Sequence, residues 1–171
     1  MVPSSPFHNP TDRVVHLAGG LEQERELTPE EAERAPDRVS RHYAGDRLVR
    51  LEVVRDGITR LVRYLERQWP DEALLAQHRR EHGELPFEVL SPTERTVGGG
   101  RRRRVWSVRA DGTTGEIAEH ELDDAGEILA EERFTPDGVR FARTEYEYDD
   151  GDLVMTRELD ADGKVVSEWE S

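Results

Sequence analysis

The chain of 171 residues carries 38 Asp and Glu against 24 Lys and Arg, a formal net charge of −14, with 35% hydrophobic residues and no cysteine. That excludes disulfide scaffolds and thiolate chemistry, leaves no apolar run long enough for a membrane span and makes free nucleic acid, a polyanion, an unsuitable partner. The opening MVPSSPFHNPTDRVV lacks the basic-then-apolar layout of a secretory leader, so the expectation is a cytoplasmic protein of one domain.

High charge with few apolar residues leans toward disorder by composition alone. The pattern argues otherwise, because the Val, Ile, Leu and aromatic residues fall in short runs between turn signals. Residues 1–20 read as an irregular arm: Pro3, Pro6 and Pro10 oppose helix, Gly19-Gly20 closes the segment, and Arg13–Leu17 alone has strand character. Residues 21–36 read as a short acidic helix centred on 29–35, with Thr28 as N-cap, Pro29 at the first helical position, Glu31 completing a capping box and Pro36 as the stop. Arg47–Arg55 and Ile58–Glu66 flank Asp56-Gly57, a strong hairpin signal, since a two-residue turn with positive φ at both positions suits Asp followed by Gly. Pro70, the stripe Leu74, Leu75 and His78, and Gly83 mark a helix near 71–82. Phe87–Leu90 is a short strand, and Gly98–Gly100 a loop.

From 101 onward turn glycines recur at 112, 126, 138, 151 and 163, mostly after Asp. A strand of about seven to nine residues plus a tight turn has this period, which predicts an antiparallel meander. The fold class expected is mainly β: an up-and-down meander of about eight or nine strands, as a curved open sheet or a lipocalin-like barrel, with one inserted helix and a short N-terminal helix. Its divisions are the arm and short helix (1–36), the first hairpin with the inserted helix (37–110) and the acidic Asp-Gly meander (111–171).

The units YEYDDGDLVMTRELDADGKVV and HYAGDRLVRLEVVRDGITRLVRYL resemble the tyrosine-aspartate (Rhs-type) and MORN-variant hairpin repeats of bacterial toxin, antitoxin and surface proteins. The resemblance covers about half of the chain. It implies a structural or adhesive role and carries no catalytic residue across.

The charge is segregated. Residues 111–171 hold 20 Asp and Glu against five Lys and Arg, so nearly all the net charge lies on the meander. Alternate residues of a strand share a face. Glu119 with Glu121, Glu145 with Glu147, and Glu168 with Glu170 therefore form same-face pairs, and Glu119, Glu121, Glu145, Glu147, Glu158 and Glu168 are the candidate partner-binding carboxylates. Aligned side by side they form an acidic ladder, tolerable only if well solvated or met by cations. A basic protein partner, a toxin among them, suits such a surface. Arg101–Arg104 has the charge to bind phosphate, but fits better as the start of a strand whose cations answer the acidic strands beside it.

Other constellations are sparse. His78 and His82 stand at i and i+4 on the second helix, a metal-binding spacing, with His16, His42 or His120 as a third ligand; Arg79 and Arg80 between them oppose a cation. Aligning Gly163 with the sixth position of a calcium loop puts Trp169 where a bidentate Glu is required, so Asp160 and Asp162 read as turn residues. Trp106, Phe134, Tyr146 and Trp169 are candidates for lining a ligand pocket. No cofactor motif is present. Two functions follow as expectations: an acidic interaction module, of the immunity, antitoxin or adaptor kind, that binds a basic partner through its sheet as a monomer or homodimer; or a small-molecule-binding barrel with isomerase, cyclase or hydrolase activity.

Overall fold

The computed structural model describes residues 13–18 and 25–170. The irregular arm expected over 1–20 lies outside them, apart from its strand. Thirteen strands and two helices are present among the described residues. Contacts divide the chain into two compact units, Met1–Leu65 and Glu66–Ser171.

The first unit contains β1 (Arg13–Ala18), β2 (Arg25–Leu27), α1 (Pro29–Arg34), β3 (Arg38–Ala44), β4 (Arg47–Arg55) and β5 (Ile58–Tyr64). Its strands lie in the order β2-β1-β3-β4-β5, antiparallel throughout. The expected acidic helix is shorter than the 21–36 stretch, because Arg25–Leu27 pairs with β1 as a strand. The helix that does form has the predicted capping box: Thr28 N–H donates to Glu31 Oε2 at 2.8 Å, and Glu31 N–H to Thr28 Oγ1 at 3.3 Å. The Asp56-Gly57 turn has φ of 53° and 72°, positive at both positions as its hairpin requires. Leu17, Leu27, Ala32, Val54, Val62 and Tyr64 are buried, each large side chain contributing about 1.5–3 kcal/mol of apolar transfer.

The second unit contains α2 (Glu72–His82), β6 (Phe87–Leu90), β7 (Glu94–Arg95), β8 (Arg101–Val108), β9 (Thr114–Leu122), β10 (Ile128–Phe134), β11 (Arg140–Asp149), β12 (Asp152–Asp160) and β13 (Val165–Glu170). The order is β6-β8-β9-β10-β11-β12-β13, with β7 paired to β8. In neither unit do the first and last strands pair with each other, so the open-sheet form holds and the barrel form does not. The strand count also exceeds the eight or nine expected, because short strands such as β2 and β7 leave too few residues for a periodicity to register.

Four of the meander turns share one construction. The N–H of the first residue donates to the carbonyl of the fifth, and the fourth, whose own N–H donates back to the carbonyl of the first, is a glycine at positive φ: Arg109–Gly112, Asp123–Gly126, Thr135–Gly138 and Asp160–Gly163. Side chains reinforce the corners, as when Asp123 Oδ1 accepts from the N–H groups of Gly126 and Glu127 at 2.8 and 2.9 Å. The strand that follows each turn then carries one extra residue three positions after the glycine: Gly115, Leu129, Phe141 and Val166. Arg60 and Val154 occupy the same place after the two-residue turns at Gly57 and Gly151. Such bulges strengthen the local twist, and here they recur with the repeat.

The core of this unit is concentrated at one side. Leu74, Phe87, Val89, Leu90, Val105, Trp106, Val108, Leu122 and Ala130 are buried, whereas β11, β12 and β13 contribute no buried residue. Helix α2 starts at Asp71, whose carboxylate accepts from Leu74 N–H at 3.0 Å, and ends at Gly83. It packs through His78 on Phe87, ring centroids 4.1 Å apart, and through Leu75 against Gly112.

Candidate functional site

Residues directly opposite in a register share a face, so the pairings from β8 to β13 sort every side chain. One row across the sheet reads Arg102, Glu121, Ala130, Glu145, Arg157, Glu168; the neighbouring row on the same face reads Arg104, Glu119, Glu132, Arg143, Leu159. Five of the candidate carboxylates, Glu119, Glu121, Glu145, Glu147 and Glu168, are thus together on one face. Glu158 is on the other, between Thr144 and Ser167.

The shared face is a lattice rather than a bare acidic ladder. Glu119 is held by Arg104 and by Arg102, the latter at 3.5 Å, and Arg102 reaches Glu121 at 3.2 Å. Arg143 contacts Glu121, Glu132 and Glu145 at 3.5, 3.2 and 3.0 Å, and Arg140 adds a second contact to Glu132 at 3.0 Å. Arg157 closes the series on Glu145, Glu147 and Glu168 at 3.7, 3.6 and 2.8 Å. Burial pushes the Glu132 carboxyl up, but Arg140 and Arg143 outweigh it and hold it below the usual range. Burial opposes charge on Arg143 too, and its three glutamates more than restore it. Isolated exposed ion pairs contribute about 0–1 kcal/mol each, so the lattice's larger effect is to cancel the like-charge repulsion of the glutamates. The cations that Arg101–Arg104 was expected to supply to the acidic strands are present. Arg143 and Arg157 were missed, although both sit at the parity of the carboxylates they neutralise.

Carboxylates without ion-pair partners lie in the turns at both ends of the sheet, and at one end they stand beside exposed apolar side chains. Asp124 and Glu127 in the β9–β10 turn, Asp149, Asp150 and Asp152 around the β11–β12 turn, and Glu170 at the end of β13 have no ion-pair partner among the described residues. Antiparallel order brings these turns and the end of β13 to the same side. Leu129, Leu153, Val154 and Trp169 are exposed there, the last with 48% of its surface accessible.

The other face carries a different arrangement. Arg103 Nε donates to His120 Nδ1 at 3.2 Å, which places the imidazole proton on Nε2, 2.9 Å from Glu131 Oε2. The His120 contact holds the Glu131 carboxyl below its ordinary range against the opposing effect of burial. Sequence reading grouped His120 with metal ligands; its carboxylate partner is set only by the β9–β10 register.

The remaining candidates separate. Trp106 and Phe134 flank Ile117 in one row of the lattice face, while Tyr146 and Trp169 flank Thr156 on the opposite face, so the four aromatics do not line one pocket. The rings of His78 and His82 are side by side at 5.1 Å, but His78 is buried and its Nε2 donates to Leu85 C=O at 2.8 Å. In the first unit His16 Nδ1 lies 2.8 Å from Ser40 Oγ, and His42 Nε2 lies 3.2 Å from Glu52. Burial, then Arg38 and His42, lowers the His16 pKa. No group of three potential metal ligands converges among the described residues.

A groove of about 450 Å³ opens beside β7 and β8, lined by Arg95, Arg102, Arg103, Arg104, Trp106 and Glu119 among others. No helix among the described residues is long and apolar enough to cross a membrane. No protein-family model, curated protein or solved structure matches this chain.

Proposed function

We propose that the chain is a protein-interaction module that binds a basic partner, as an inhibitor of the immunity or antitoxin kind or as an adaptor, through the acidic end of the β9–β13 sheet. The observation that carries this reading is the juxtaposition of six carboxylates that have no ion-pair partner among the described residues with Leu153, Val154 and Trp169 exposed at the same end. Exposed apolar side chains supply contact area, and carboxylates free of internal cations steer and select a positively charged partner. The glutamates of the lattice are already engaged and contribute less. Five of the eleven exposed large apolar residues among the described ones lie on β12 and β13, which favours this hairpin over the rest of the surface.

The test is selection from a displayed library of strand-length peptides at low ionic strength. Enriched peptides are expected to combine Lys or Arg with apolar residues. Trp169→Ser, and separately Asp149→Asn with Asp152→Asn, should each weaken the selected peptide about tenfold or more, with the carboxylate variant also losing salt dependence. Enrichment of acidic peptides, or affinity unmoved by both variants, would overturn the proposal.

A further inference from the structure

We infer that β13 pairs edge to edge with an extended segment of the partner, a strand that carries Lys or Arg at alternate positions and apolar residues between them. The inference rests on the reading of a basic partner given above and adds how that partner is held.

The outer edge of β13 supplies the backbone half of the contact. Among the described residues β13 pairs with β12 alone and ends the strand order. Alternate residues of a strand direct their N–H and C=O groups to the same edge, so every second residue of β13 has its backbone groups turned away from β12. The six residues Val165–Glu170 have the length of an ordinary strand. Past the extra residue at Val166 the register with β12 is unbroken from Ser167 to Glu170, which leaves a regular template. Neither Pro nor Lys, two common guards of an exposed edge, occurs on it.

Side chains choose the occupant. Glu168 and Glu170 stand on the face of the arginine–glutamate lattice, opposite Arg157 and Met155, and Ser167 and Trp169 stand on the other. In the lattice row that ends at Glu168 each glutamate has an arginine directly across from it: Glu121 faces Arg102, and Glu145 and Glu168 both face Arg157. Arg157 is the last cation of the row and is divided among Glu145, Glu147 and Glu168. The Glu168 side chain remains 47% exposed, and Glu170 has no ion-pair partner among the described residues. A Lys or Arg on an added strand, with its Cβ about 4.5–5.5 Å from that of Glu168, extends the row by one cation. A second, two residues along, meets Glu170. The residue between them points to the opposite face, onto the exposed Trp169. An acidic segment, a second copy of β13 included, sets carboxylate against carboxylate along the same row. Main-chain bonds that hold and alternate side chains that select are the two components of strand addition.

The experiment is an NMR titration of the isotope-labelled full chain, at low ionic strength, with a strand-length peptide alternating Lys and Val. A scrambled peptide of the same composition, an alternating Glu and Val peptide, and two N-methylated forms, one methylated at the Lys residues and one at the Val residues, are separate arms. Saturable binding of the alternating Lys and Val peptide is expected, with shifts at the Ser167–Glu170 amides and the Trp169 indole. The N-methylated form whose methyl groups face β13 should bind about tenfold or more weaker, and the other should bind as before. Glu170→Lys, outside the ion pairs and with unchanged circular dichroism, should weaken the Lys and Val peptide about tenfold or more and admit the Glu and Val peptide instead. Absence of saturable binding at millimolar concentration, equal affinity of the two N-methylated forms, or binding unmoved by Glu170→Lys overturns strand addition. Equal binding of the scrambled peptide also overturns it, while the basic-partner reading stands. Preference of the unaltered chain for the Glu and Val peptide overturns that reading itself.

Discussion

At the scale of single residues, the informative groups are carboxylates whose partners come from another strand. Glu131 is held below the ordinary glutamate range by His120, and Glu132 by Arg140 and Arg143 against burial. A carboxyl whose folded pKa is depressed contributes stability above its unfolded pKa, about 4.3 for glutamate, and that stability is lost as pH falls through the folded value. Thermal midpoints are therefore expected to be level from neutrality down to about pH 5 and to fall steeply below about pH 4. Glu131→Gln and Glu132→Gln should each cost on the order of 1 kcal/mol at neutral pH and make the acid-side fall shallower. Melts followed by circular dichroism across this range decide the matter; an acid limb of equal steepness in both variants would show that other groups govern it. The parity of Glu119 with Glu121 and of Glu145 with Glu147 was legible in the sequence, since alternation within a strand is local. The identity of their cations was not, because Arg143 reaches Glu121 only after two registers have been set.

At the scale of elements, the repeat of turn and bulge organises the meander. Gly112 and Gly138 have nearly the same backbone, φ of 85° and 86°, but different surroundings. A Cβ at Gly138 meets nothing within 4 Å, whereas one at Gly112 would lie 2.6 Å from Leu75 Cδ2 on α2. Gly138→Ala should cost only the left-handed backbone penalty, about 1–2 kcal/mol. Gly112→Ala should cost that plus displacement of Leu75, another 1–3 kcal/mol or so. Denaturant midpoints of the two variants measure the difference, and equal losses would mean that Leu75 does not hold this corner. The turns themselves were readable from Asp-Gly and its spacing. The bulges at Leu129, Phe141, Val154 and Val166 were not, because an extra residue leaves the hydrophobic pattern of a short strand almost unchanged.

At the scale of the whole molecule, net charge selects among partners. A second copy brings −14 to −14, and its β13 brings Glu168 and Glu170 to any edge pairing. Repulsion at long Debye length disfavours that encounter, while a basic protein is attracted by the same field. The chain is expected to sediment as a monomer at low ionic strength. Self-association, if salt induces any, should appear only as the Debye length falls to about 3 Å near 1 M salt. A dimer already present at low salt and dissolved by adding salt would contradict this account. The exposed apolar residues of β12 and β13 are then kept soluble by the carboxylates around them, a common defence of sheet edges.

The sequence by itself determined the mainly antiparallel class, both helices with their caps, the positions of the turns and the segregation of charge into residues 111–171. Each of these is a local property: backbone preference at Asp-Gly, a side chain satisfying its own helix terminus, a count along the chain. Tertiary structure alone decided that the sheets stay open, that Glu158 faces away from its expected companions, and that arginines neutralise the glutamate face while the turns keep their charge. These depend on register, and register compounds turn length with every bulge before it, so one residue shifted in one hairpin changes which charges meet across the next.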